Sequence, residues 1–267
     1  MAFGLIIIGD EILSGKRSDQ HFAHVVGLLR ERGLQLAWAE IVGDDPARIT
    51  ALLRRTFASG DVVFSCGGIG ATPDDHTRLC AANALDLPQA MHAHAREQIQ
   101  LRIREMADEA GTACDLQSPE NLYRLKMAEF PQGADSIPNP FNRVPGFAIR
   151  EHYFVPGFPV MAWPMIAWVL DTHYKHLFHL QPQAERSLLV FDGMESQLTP
   201  LMEELETRYP LIKVFSLPSV GNERIARHIE LGVKGDPAQV EEAFAAMQAG
   251  LQPFGVRIEP TGGEHGA

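Results

Sequence analysis

The chain begins with an unbroken apolar run, "FGLIII" at 3–8, that stops at Gly9. Six residues without a polar interruption suit a strand buried on both faces of a parallel sheet. Apolar positions then recur at Phe22, Val25, Val26 and Leu29, the spacing of one helix face, with Gly33 as a stop. "LQLAWAEIV" (34–42) reads as the second strand. A second helix follows, with an Asp cap, Pro46 in its first turn and a stripe of Ile49, Leu52, Leu53 and Phe57. "DVVFS" (61–65) is the third strand and runs straight into the glycine-rich stretch "CGGIGATPDD".

Short buried strands alternating with amphipathic helices predict an α/β domain with a largely parallel sheet. Ligands bind such sheets at the carboxyl ends of the strands. "GDE" (9–11), "GDD" (43–45) and "GGIGATPDD" (67–75) all fall there. Residues 91–129 read as helical, with a break near Gly111 and a new start at Ser118-Pro119. Residues 131–160 are rich in Pro and Gly, with a short strand pair expected at 147–155. A helix over 159–178, carrying Met161, Met165, Ile166, Val169 and Leu170, closes the first domain, placed at 1–180. After a linker at 180–185, the pattern strand-helix-strand-strand-helix-strand predicts a small ferredoxin-like α+β domain at 184–260, and "TGGEHGA" reads as a frayed end.

A net charge of −11, from 34 acidic and 23 basic residues, argues against nucleic-acid or membrane-surface binding, which needs a Lys/Arg excess. No apolar run approaches the ~18 residues of a membrane span. The N-terminal apolar run lacks the positive flank and cleavage site of a signal peptide. Cys66, Cys80 and Cys114 form no CxxC pair, which makes a reducing cytoplasm the expected compartment.

Gly67, Gly68 and Gly70 permit backbone conformations that turn successive N–H groups inward as an anion nest. No GK[ST] follows, so this is not a Walker loop. Asp74 and Asp75 adjoin it, although helix capping needs only one carboxylate. Two carboxylates beside a phosphate site are unfavourable unless a divalent cation such as Mg²⁺ lies between. The same reasoning covers Asp10 with Glu11, and Asp44 with Asp45, one of which caps the helix at Pro46. The expected metal contacts are therefore Asp10, Glu11, Asp74 and Asp75. His173, His176 and His179 are spaced by three at a helix end, which suits a helix dipole better than a tetrahedral site.

"GDEILSGKRSDQHF", "IVGDD" and "CGGIGATPDD" together resemble the molybdenum-cofactor biosynthesis (molybdopterin-binding) domain family, above all the N-terminal part of competence/damage-inducible protein A. The matching positions are Gly9, Glu11, Ile12, Leu13 and Gly15 in the first stretch and Gly67, Gly68, Gly70, Thr72, Asp74 and Asp75 in the third. "VPGF" (144–147) and "VPGFP" (155–159) resemble the later Pro-Gly turns of that family, and the resemblance runs over residues 3–178. It implies a three-layer α/β/α domain that binds the phosphate end of a pterin or a nucleotide-like compound. Asp44 (or Asp45) and Asp75 stand where relatives place acidic residues linked to catalysis. The resemblance also implies a homo-oligomer, and the C-terminal amidase domain of the longer relatives is expected to be missing.

Three departures qualify the match. Ser65-Cys66 replaces a Thr before the glycines, Val160-Met161 stands where a carboxylate is common, and Asn142-Arg143 replaces a glycine. Arg143 becomes a candidate anion clamp. The leading expectation is a protein that holds molybdopterin or a similar small phosphorylated ligand at the sheet edge, through Gly9, Asp10, Glu11, Gly67, Gly68, Gly70, Thr72, Asp74 and Arg143. The alternatives are a divalent-metal-dependent ADP-ribose pyrophosphatase using Asp44 and Asp75, and a non-enzymatic module with a vestigial pocket.

Overall fold

The N-terminal apolar run is strand β1 (Phe3–Ile8), buried at every position. In the computed structural model it lies second from one edge of a six-stranded sheet, between β2 (Leu36–Val42) and β3 (Val62–Cys66), and is parallel to both. The structure describes residues 1–180, 184–222 and 225–261, in two compact units that divide after residue 178.

Between these strands lie α1 (Asp10–Leu13), α2 (His21–Glu31) and α3 (Pro46–Phe57). Next come α4 (Thr77–Ala84), β4 (Gln89–Met91), α5 (Ala93–Glu109), α6 (Pro119–Leu125) and β5 (Glu129–Pro131). β6 (Asp135–Ile137), β7 (Gly146–Ile149), β8 (His152–Val155) and α7 (Pro159–Val169) complete the unit. The main sheet runs β2-β1-β3-β8-β7-β6. β8 joins β3 in parallel, while β7 and β6 add as antiparallel strands. The expected strand pair at 147–155 is the β7–β8 hairpin; β6 and the short β4–β5 pair, three residues per strand, are too brief to show a period in sequence.

Period-2 alternation divides the core. Ile6, Ile8 and Val63 face a layer built from α3, α4 and α5, where Ile49, Leu53, Ala81 and Ile99 are buried. Leu5, Ile7, Val62 and Phe64 face α2 and α7, meeting Val25, Leu29, Met165 and Val169. Helices on both faces of a mostly parallel sheet make the expected three-layer α/β/α architecture. Each fully buried Leu, Ile or Val contributes roughly 1.5–3 kcal/mol, so β1 alone anchors both layers.

The face of α2 differs from the reading of its pattern. Its buried positions are His21, Val25 and Leu29, whereas Phe22 and Val26 are exposed. Partners on α7 and in the turn beyond it decide this. The His24 ring stacks on Trp163 at 3.8 Å, and Arg32 grips the Asp171 carboxylate at 2.8 and 3.1 Å, rolling the helix toward His21. α7 is also shorter than the span 159–178: beyond Val169 it widens into a π-helical turn at Leu170–Tyr174 and tightens at Lys175–Leu177.

The second unit contains β9 (Ala184–Phe191), α8 (Glu195–Arg208), β10 (Ile212–Ser219), β11 (His228–Gly235), α9 (Pro237–Leu251) and β12 (Arg257–Pro260). The order β10-β11-β9-β12 with every pair antiparallel is the ferredoxin-like sheet. Its core joins Val190, Leu231 and Val233 of the sheet to Leu198, Leu205, Val240 and Met247 of the helices. Linker positions 181–183, the strand start expected at Glu223-Arg224 and the end at 262–267 lie outside the described residues.

Candidate ligand-binding site

Turns that follow β1, β2, β3 and β8 meet at the carboxyl edge of the main sheet around a cavity of about 470 Å³. The turn after β3 has the most constrained backbone. Gly67 and Gly68 take φ of 112° and 66°, conformations that an L side chain resists. A Cβ on Gly67 would lie 2.2 Å from the Ile8 carbonyl oxygen, and one on Gly68 would lie 2.2 Å from Thr77 Oγ1. Both glycines are thus required by close approach as well as by φ.

The donors of this loop are unequally available. The Gly67 N–H donates to the Val155 carbonyl at 3.0 Å, and the Gly70 N–H donates to Asp75 Oδ1 at 2.8 Å. The N–H groups of Gly68, Ile69 and Ala71 meet no acceptor among the described residues. The inward donors therefore centre on Gly68–Ala71 rather than on all three expected glycines.

Asp75 does not cap α4, whose capping position is His76. Its carboxylate closes the glycine loop, accepting from the N–H of Gly70 and from both the N–H (2.8 Å) and hydroxyl (2.5 Å) of Thr72. Beneath it, the buried Arg78 guanidinium donates to the carbonyl oxygens of Ile69 and Gly70. Burial pulls the Arg78 pKa down and the Asp75 charge opposes that, so the arginine beneath the loop and the aspartate closing it support each other.

The Asp pair at 44 and 45 divides its work. Asp45 caps α3, accepting from the Arg48 N–H at 2.8 Å, while Asp44 lines the cavity. Asp44 is pushed above the usual carboxylate range by burial, then by the charges of Asp10, Glu11 and Asp74, against a bond from the Asp10 backbone. Gly9, Glu11, Gly67, Gly68, Gly70, Thr72, Asp74 and Asp75 all line the same cavity.

Two expected residues do not line it. Asp10 turns toward Gly43, where a Cβ would meet its Oδ1 at 2.2 Å. Arg143 has φ of 64°, pairs through Nε with Glu105 at 2.6 Å and borders a different, proline-lined cavity with Pro140, Pro164 and Trp168. The turn it occupies points it away from the glycine loop, which corrects its reading as the clamp of this site.

The structure does not bring the expected metal quartet together as a cage among the described residues. Among the described residues, no group of three or more His, Cys, Asp or Glu side chains could hold a metal ion. Asp10 is engaged by the Asp44 backbone and Asp75 by the loop donors, so these two do not converge with Glu11 and Asp74. The histidines at 173, 176 and 179 form no such group either; His173 packs edge-on to Trp168.

The cavity also holds residues that are not among the expected site residues. Arg17 is the one basic residue among the described residues that line it, and Met127, Val144, Phe158 and Met161 form an apolar wall beside Asn142. Nearby, the buried His21 donates from Nε2 to the Gly157 carbonyl at 3.0 Å, pinning the turn after β8. A Cβ on Gly157 would lie 3.4 Å from Gly67 Cα, so that turn is packed directly on the glycine loop. Only the "VPGF" and "VPGFP" turns hint at this wall, because Met127 and Arg17 carry no turn signal of their own.

The family model described as the probable molybdopterin binding domain matches residues 4–176, the stretch that builds the whole α/β unit and its cavity. The chain belongs to that family. It is 30% identical over 250 residues to a CinA-like protein of Anaeromyxobacter sp. (strain Fw109-5), covering 86% of this chain and 58% of the relative. A CinA-like protein of Syntrophotalea carbinolica is 29% identical, covering 94% of this chain and 59% of the relative. The chain thus spans somewhat more than half the length of these two relatives. The crystal structure of CinA from Thermoplasma acidophilum, described as of unknown function, superposes with a TM-score of 0.54 at 24% identity, over 64% of this chain and 98% of that one. This likeness supports the fold of this molybdopterin-binding-type domain. Among the described residues no helix is long and apolar enough to cross a membrane.

Proposed function

We propose that the α/β unit binds a small phosphorylated ring compound, a pterin such as molybdopterin or a nucleotide-like molecule, in the cavity at the sheet edge. The carrying observation is the mixed lining of one cavity. The N–H groups of Gly68, Ile69 and Ala71, which meet no acceptor among the described residues, share it with the apolar side chains of Met127, Val144, Phe158 and Met161. A flat ring with an anionic tail has the same mixed character. A place in molybdenum-cofactor biosynthesis is part of the proposal, and membership of the molybdopterin-binding family supports it.

A divalent cation fits only as a companion of the ligand. Mg²⁺ is commonly held by one or two carboxylates plus substrate phosphates, and Glu11, Asp44 and Asp74 line the cavity without forming a cage. The test is thermal melting against pterin phosphates, ATP, AMP and ADP-ribose, each with and without Mg²⁺. Ligand at 100 times its Kd adds about 2.7 kcal/mol of apparent stability. No shift with any of them overturns the proposal.

A second reading, hydrolysis of a pyrophosphate such as that of ADP-ribose, is favoured by Asp44. A carboxyl whose pKa is raised by burial and like charges is suited to moving a proton at the attacking water. Bound Mg²⁺ would polarise the phosphoryl oxygen. Appearance of AMP and ribose phosphate from ADP-ribose, lost in Asp44→Asn, supports this reading; no turnover with any divalent ion removes it.

A further inference from the structure

We infer that Arg17 is the anion clamp of this cavity, taking one phosphate of the ligand directly and without a metal ion; this rests on the binding function proposed above. Among the described residues that line the cavity, Arg17 is the only Lys or Arg. The chain brings it there by a specific bond: after α1 the backbone folds back and the Arg17 N–H donates to the Glu11 carbonyl at 3.0 Å.

The side chain then does something unusual for its surroundings. It shares the cavity with Glu11, Asp44, Asp74 and Asp75, yet its guanidinium has no ion pair or hydrogen bond among the described residues. Two of these carboxylates are engaged elsewhere, which accounts for part of this. Asp75 is closed on the glycine loop, and Asp44 takes the Asp10 N–H. A guanidinium held at a cavity wall and left unpaired keeps its planar fork free for a phosphate, which it can bind through two parallel N–H···O bonds. The other donors available to that phosphate are the N–H groups of Gly68, Ile69 and Ala71, which line the same cavity.

The division of labour that follows is specific. One phosphate is held by Arg17 and the loop in the absence of metal, and a cation shared with Glu11, Asp44 or Asp74 strengthens the hold only on a second phosphate. AMP and a diphosphate should therefore differ in their metal dependence.

The experiment is calorimetric titration of the full chain with AMP, ADP-ribose and inorganic pyrophosphate, in EDTA and in Mg²⁺, for wild type, Arg17→Gln, Arg17→Lys and Arg143→Gln. The expected result is wild-type binding in EDTA that weakens about tenfold or more in Arg17→Gln. Arg17→Lys should weaken it less, because it keeps the charge and loses the fork. Arg143→Gln, altered in the other cavity, should bind as wild type. Because the Arg17 guanidinium has no protein partner among the described residues, the melting temperature of unliganded Arg17→Gln should match wild type, separating lost binding from lost folding. Wild-type affinity in Arg17→Gln, or wild-type binding that appears only with Mg²⁺, overturns the clamp while leaving the binding function standing. A flat wild-type titration with all three probes overturns the clamp together with the phosphate-binding function.

Discussion

Asp10 and Asp44 hold each other by the backbone. The Asp10 N–H donates to Asp44 Oδ2 at 2.9 Å, and the Asp44 N–H donates to Asp10 Oδ1 at 3.2 Å, across 34 residues of sequence. Two carboxylates that should repel are kept side by side because each answers an N–H group at a strand end. The turns after β1 and β2 are tied together in this way, and Asp44 is fixed at the cavity wall.

This reciprocity predicts non-additive mutations. Asp10→Ala removes the brace on the Asp44 backbone, and Asp44→Ala removes the one on Asp10. A double-mutant cycle in urea should give a coupling of about 0.5–1 kcal/mol, the low part of the usual range because the pair is exposed. Additive losses would show that each carboxylate acts alone.

The raised pKa of Asp44 sets the sign of a pH effect. A carboxyl that holds its proton more tightly in the folded state adds stability that is fully present below the unfolded pKa, near 3.8, and is lost as pH rises through the raised folded value. Asp44→Asn keeps an oxygen acceptor for the Asp10 N–H and removes the titration. Relative to wild type, the variant should therefore gain stability as pH rises above about 4. Urea midpoints measured from pH 3 to pH 7 read this directly, and parallel curves for the two proteins would contradict it.

Two glycines with positive φ should respond differently to alanine. Gly15 has φ of 72° and nothing within 4 Å of the place a Cβ would take, so Gly15→Ala bears conformational strain alone, about 1 kcal/mol. Gly67→Ala adds a clash with the backbone oxygen of Ile8, which no side-chain rotation relieves. Its loss should exceed that of Gly15→Ala by at least ~1 kcal/mol in chemical denaturation. Equal losses would mean that the loop shifts to accept a methyl group.

Most of the fold is legible because its signals are local. The "FGLIII" run, the caps at Asp45 and Ser118 and the tail's strand-helix order depend on neighbours in sequence, and the structure contains each of them. The strand-end turns are legible for the same reason, since glycine and aspartate mark them. Choices made by distant partners are not. Phe22 and Val26 have the spacing of a core face, but Trp163 and Asp171 roll α2 so that His21 is buried instead. Arg143 sits beside a Pro-Gly turn as a clamp would, yet its positive φ and Glu105 aim it elsewhere. Arg17 gives no sign in the sequence, because an arginine after a turn is ordinary until its neighbours in space are seen to leave it unpaired.

The last prediction separates two roles for Asp75. Its two oxygens take three donors from Gly70 and Thr72, and its charge supports Arg78 beneath the loop. If bracing is its role, Asp75→Ala should cost about 1–3 kcal/mol, since it strands those donors and weakens the compensation of a buried guanidinium. Asp75→Asn, which keeps the shape and one acceptor but loses the charge, should lie between wild type and alanine. Ligand binding should then fall in proportion to loop stability, with or without Mg²⁺. The opposite pattern is equally readable: an Asp75→Asn protein that melts like wild type but loses only Mg²⁺-dependent binding would return Asp75 to the ligand and leave the loop to hold itself.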